Sequence, residues 1–141
     1  MAEKTDKIQQ LTGWARGLRP IERPRAGERP TGVIVICYVR SIGPGAQRFQ
    51  KDVGIVDQTM LLRAVELGLG GIMIGNFSPE KISEALELPE TLQPMLILAI
   101  GKPDEDIVLV DVPENGEINY YRDDSDVHYV PKRQLEDMLV N

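Results

Sequence analysis

Residues Gly32 to Arg40, Gly-Val-Ile-Val-Ile-Cys-Tyr-Val-Arg, are apolar almost without interruption and rich in β-branched side chains. Such a run predicts a strand covered on both faces, and so one in the centre of a sheet. Pro94 to Gly101 repeats the pattern and predicts a second interior strand, closed by the turn residues Gly101-Lys-Pro-Asp-Glu105. Between them the period changes. Val53, Val56, Met60 and Leu67 keep roughly helical spacing, and Leu61, Leu62, Ala64 and Val65 widen the apolar face. The spacing predicts a helix with Asp52 as its N-cap, running to about Leu67 and ending at Gly68 as C′. So wide a face predicts burial on more than one side. Gly68 to Gly75 is a glycine-rich turn feeding a short apolar segment, after which Ser78 and Pro79 open a further helix as N-cap and first residue. That helix is expected to stop near Leu88-Pro89.

The last third is patterned differently. Ile107 to Val112, the turn signal Glu114-Asn-Gly116 and Glu117 to Tyr121 together predict a hairpin. Asp123 to Asp126 reads as another turn, Val127 to Val130 as a short strand, and Arg133 to Val140 as a terminal helix. At the other end, a helix over Asp6 to Trp14 leads into a stretch rich in Arg, Pro and Gly that denies both helix and ladder. The expected organisation is therefore residues 1–31 as N-terminal helix and connector, and 32–141 as the main domain. Helices interspersed with strands up to residue 101, followed by hairpin-like segments, give an α+β fold with a mixed sheet. No internal repeat is present.

Composition narrows the function. At 141 residues, 42% apolar, the chain is sized for one compact domain. Its formal charge of -6 argues against a nonspecific grip on nucleic acid. Arg16, Arg19, Arg23, Arg25 and Arg29 are diluted by Glu22 and Glu28, carry no interleaved aromatic residue, and read as a solvated connector. The apolar runs Val33 to Val39 and Met95 to Ile100 are far short of the ~20 residues of a membrane-spanning helix. The first residues lack the apolar stretch of a secretory signal, and a cytoplasmic location is the expectation. The single cysteine, Cys37, and the single histidine, His128, exclude a disulfide within the chain and make a Cys- or His-based metal centre implausible.

Few residues invite chemistry. Nine carboxylates between residues 102 and 126 read as a solvated hairpin surface, with acid/base work or a divalent-cation site as the other readings. Cys37 falls in an expected strand and reads as packing, and His128 as a surface or interface residue. Gly68-Leu-Gly-Gly71 follows a helix and precedes a strand, the reverse of a dinucleotide fingerprint. On pattern alone it is either a helix C-cap with a tight turn or a backbone surface for a ligand. Lys132 and Arg133, at the expected start of the last helix, either grip a phosphate with help from the helix dipole or are merely solvated.

Four segments in order, Asp52 to Gly75, Leu88-Pro89-Glu90, Pro94 to Pro103 and Pro131-Lys-Arg-Gln-Leu-Glu136, resemble the nitroreductase family of FMN-dependent oxidoreductases. The resemblance covers about residues 30 to 141. It implies a mixed, largely antiparallel sheet flanked by helices, lacking the family's N-terminal portion and its Arg-rich phosphate motif. It implies that Met73, Ile74, Gly75 and Asn76 line the flavin ring, mainly by main-chain contact, and that Lys132 and Arg133 hold the FMN phosphate. It further implies a homodimer with the helix over 52–67 in its interface. The activity implied is transfer of hydride from NAD(P)H through FMN to a nitro, quinone or similar acceptor, with no catalytic side chain and no metal. A flavin-free remnant acting as a dimeric binding or interaction protein is the alternative.

Overall fold

The structure, a computed structural model, describes residues 2–14, 24 and 27–140. The described residues fall into two compact units, 2–103 forming the first and 104–140 the second. No helix among the described residues is long and apolar enough to cross a membrane.

In the first unit the elements are α1 (Ala2–Gln10), β1 (Gly32–Val39), α2 (Gln50–Glu66), β2 (Gly70–Ile74), α3 (Pro79–Leu86) and β3 (Leu92–Gly101). The three strands form an antiparallel sheet in the order β1-β3-β2. Val33 and Ile72 lie opposite Ala99, and Val35 and Ile74 opposite Ile97. Side chains alternate across a sheet, so these positions share one face. There Ile74, Ile97 and Ala99 form the core with Ile8 of α1 and Ile82 of α3, joined by Leu11, Trp14, Phe77 and Leu86. The other face carries Gly71, Met73 and Leu98, and α2 packs over it.

Several expectations are corrected here. The interior strand is β3, with Ile97, Leu98 and Ala99 all buried, whereas β1 is an edge strand. An unbroken apolar run fits an edge strand too, because α2 leaves part of its face of the sheet open and Ile34 remains 39% exposed. α1 lies earlier than expected. α2 begins at Gln50, straight out of a 3-10 turn over 46–49, so Phe49 holds the N-cap position without a side-chain cap and Asp52 sits in the first turn. There its charge still complements the helix dipole. Nor is α2 buried on more than one side: Asp57 and Ala64 are buried, while Ile55, Val56, Leu62 and Val65 are exposed.

Other local readings hold. Leu67 caps α2, and the N–H groups of Gly68 and Leu69 donate to Val65 and Ala64 carbonyls at 2.9 Å each. This is a Schellman motif, and it needs the positive φ of 73° that Gly68 adopts. Ser78 caps α3, its Oγ accepting from Lys81 N–H. The helix stops slightly short of the expected boundary, with Glu87 in the left-handed region.

In the second unit β4 (Ile107–Asp111), β5 (Tyr121–Arg122) and β6 (His128–Lys132) form a mixed sheet in the order β4-β6-β5. The expected hairpin of 107–121 is absent. Gly116 does close a turn onto Pro113, but β4 pairs in parallel with β6 instead of folding back on the next segment. Antiparallel pairing joins β5 to β6 across the Asp123–Asp126 turn, where Asp123 Oδ1 accepts from Ser125 and Val127 N–H at 3.0 Å. The terminal helix is also absent: a single 3-10 turn spans Glu136–Met138. The apolar residues Leu135, Met138 and Leu139 are exposed, so no packed face holds a longer helix together.

Candidate cofactor site

The segment Met73–Asn76 lies in the first unit, at the end of an edge strand. Among the described residues only one side of β2 is hydrogen-bonded, to β3. An edge strand directs the N–H and C=O groups of alternate residues away from its sheet, where a planar polar ligand can use them. The close seating of α2 on β2 depends on Gly71, where a Cβ would stand 2.7 Å from both the Ala99 carbonyl oxygen and Leu61 Cδ2.

The four residues differ in what they offer. Met73 is 38% exposed, whereas Ile74 is buried in the core and has only its main chain to present. Gly75 and Asn76 are exposed, and a Cβ at Gly75 would meet nothing within 4 Å. The Asn76 carbonyl accepts from Gly13 N–H at 2.7 Å, and Thr12 bridges Phe77, which pins the segment to the end of α1. The Asn76 side-chain amide makes no hydrogen bond among the described residues.

Lys132 and Arg133 belong to the second unit. Lys132 ends β6, its carbonyl accepting from Val112 N–H, and both side chains are exposed. Neither makes an ion pair among the described residues. The expected help from a helix dipole is corrected, because no helix starts at Arg133.

Elsewhere in the second unit, Arg122, with a side chain 4% exposed, donates to Glu105 Oε2 at 2.9 Å and to the Asp126 carbonyl at 2.8 Å. His128 Nδ1 lies 3.0 Å from the same Glu105 oxygen. This cluster ties β5 and β6 to the residues preceding β4. Tyr129 donates to Asp123 Oδ2 at 3.1 Å, and that bond, with the charge of the carboxylate, pushes its phenol pKa up. Among the described residues no group of three His, Cys, Asp or Glu side chains is arranged to hold a metal ion. Cys37 is half-buried, and burial raises its thiol pKa, which disfavours the reactive thiolate. Of the connector arginines, Arg29 pairs with Asp6 at 2.9 Å, while Arg16, Arg19, Arg23 and Arg25 lie outside the described residues.

One residue escaped the sequence reading. Asp57 is fully buried, and among the described residues neither carboxylate oxygen has a hydrogen-bond partner. The signal was a carboxylate on the stripe shared by Val53, Leu61 and Ala64, none of them exposed.

Comparison with known proteins agrees with this architecture. The family model described as the nitroreductase family matches residues 9–102. The chain belongs to that family. Among solved structures it is similar to an NADPH:FMN oxidoreductase from Vibrio harveyi complexed with NAD+, at 28% identity and a TM-score of 0.56, over 82% of this chain and 53% of that one. A Bacteroides thetaiotaomicron protein provisionally named NADH dehydrogenase/NAD(P)H nitroreductase matches at 19% identity and TM-score 0.56, over 92% and 67%. A provisionally named NADH oxidase from Clostridium acetobutylicum matches at 19% and 0.56, over 72% and 58%. The chain thus spans between about half and two thirds of the length of these proteins. The last two likenesses establish the fold.

Proposed function

We propose that this chain is an FMN-dependent oxidoreductase of its family. The reading is carried by one observation: the family match includes Met73–Asn76, and the fold sets those residues on an open strand edge and an exposed loop. These donors suit a flavin in kind. Main-chain groups of Met73–Asn76, other than the Asn76 carbonyl that Gly13 N–H engages, would offer hydrogen bonds to the polar edge of the ring, and Met73 an apolar contact. Lys132 and Arg133, exposed and unpaired among the described residues, suit a phosphate that needs charge-assisted hydrogen bonds. Each assignment is made on its own unit.

When bound, the flavin would supply the redox chemistry, accepting hydride from NAD(P)H and passing electrons to a nitro, quinone or similar acceptor. The chain's residues would bind and orient it. A catalytic side chain is not part of the proposal.

A homodimer is part of the same reading. Ile55, Val56, Leu62 and Val65 leave an apolar surface on α2 that a second copy would cover. That surface also favours a second reading, a flavin-free dimeric interaction protein on the same scaffold. An absorption spectrum decides between them. Purified protein mixed with FMN and desalted is expected to retain a flavin band that NADH or NADPH bleaches without oxygen; a colourless protein after desalting contradicts the enzyme reading and leaves the second.

A further inference from the structure

Asp57 is the one fully buried carboxyl on α2, and its surroundings among the described residues give it nothing to pair with. Among the described residues, the elements packed most extensively against α2 are β2, β3 and the 3-10 turn over 46–49. No residue of β2 or β3 is ionisable, and Arg48, the charged residue of the turn, is exposed. On α2 itself Lys51, Asp52, Arg63 and Glu66 are exposed, the last two paired with each other at 2.8 Å. Among the described residues, a charge at Asp57 is therefore uncompensated.

Its level in the structure matters. Leu61 packs on Gly71, and the tight turn at Gly68 sends β2 back along α2. Asp57 lies four residues before Leu61, about 6 Å of helix, and Met73 two residues beyond Gly71, about 6.6 Å of strand. Asp57 thus falls at the level of Met73, where the proposed flavin segment begins.

We propose that Asp57 is a positioning residue for Met73–Asn76 and acts through its proton: as the neutral acid it lets α2 seat on β2, and as the carboxylate it loosens that seat. Burial raises the Asp57 pKa above its ordinary 3.8, in agreement with the geometry. The folded state then holds a proton that the unfolded chain releases, so stability is full below the ordinary value. It falls as pH rises from there through the elevated value, and is flat above it. The functional consequence rests on the reading under Proposed function; the effect on α2 and β2 does not.

The test uses the full chain without cofactor. Two readouts are followed from the ordinary carboxyl value of 3.8 up to about pH 8. One is urea unfolding seen by Trp14, the single tryptophan, packed on the first unit's core. The other is peroxide oxidation of Met73, with exposed Met138 of the second unit as control. In the wild type the unfolding constant is expected to rise with pH, by up to about tenfold per unit within the titration window, and Met73 oxidation to accelerate relative to Met138. Asp57→Asn and Asp57→Leu should both remove these dependences, and Asp57→Leu should raise stability at neutral pH. Equal pH dependence in wild type and both variants overturns the proposal, as does a flat wild-type profile or failure of both variants to fold. FMN added across the same range separates the two claims. A pH-dependent Met73 in a chain that binds no flavin keeps the role of Asp57 and removes the functional reading.

Discussion

Leu61 Cδ2 occupies the space a side chain on Gly71 would need: a Cβ there would lie 2.7 Å from it and equally close to the Ala99 carbonyl oxygen. A flexible leucine can yield, but the backbone of the central strand cannot. Gly71→Ala is therefore expected to destabilise the first unit by about 1–3 kcal/mol, the usual cost of overpacking. Urea unfolding followed by Trp14 fluorescence measures it, and a Leu61→Ala background should recover only the part due to the leucine.

Ile82 and Ile97 are fully buried where α3 meets the sheet. Replacing either with Ala should cost about 2–5 kcal/mol, the lost burial plus the cavity left behind. The same unfolding measurement checks this. Exposed Ile42, changed the same way, should move the midpoint little.

Lys132 and Arg133 are assigned to a phosphate, so their effect must depend on the ligand carrying one. Alanine at both positions is expected to weaken FMN by about 1.5–3 kcal/mol per charged hydrogen bond lost. Riboflavin, which lacks the phosphate, should be nearly unaffected. Titrations with both ligands test this, and equal losses would place the phosphate elsewhere.

The exposed side chains of α2 predict association. Leu62→Glu and Val65→Glu put charges into a surface that a second copy is proposed to bury, and burying an unpaired charge is unfavourable. Sedimentation should show a dimer for the wild type and a monomer for the double variant, with the far-ultraviolet helix signal retained.

How far the sequence carried depended on how local the cause was. Gly68 as a helix C′ and Ser78 as an N-cap are decided within a few residues, and both were legible. The pairing partner of β4 was not. Glu114-Asn-Gly116 does turn the chain, yet β4 takes β6 as its neighbour, a choice made by residues 21 positions away. Likewise, the apolar runs of β1 and β3 are indistinguishable in character, and only the assembled sheet makes β3 central. Met73–Asn76 could be singled out by resemblance, but that Ile74 turns into the core required its cross-strand partner Ile97. Asp57 shows the reverse failure, a polar letter on an apolar stripe that averages away in a wide face.

The measurement closest to the central claim is quenching of FMN fluorescence on titration with the full chain, repeated with the Lys132→Ala/Arg133→Ala variant. The account predicts saturable quenching at one FMN per chain, shifted to weaker binding in the variant. Fluorescence unchanged by excess protein would contradict it.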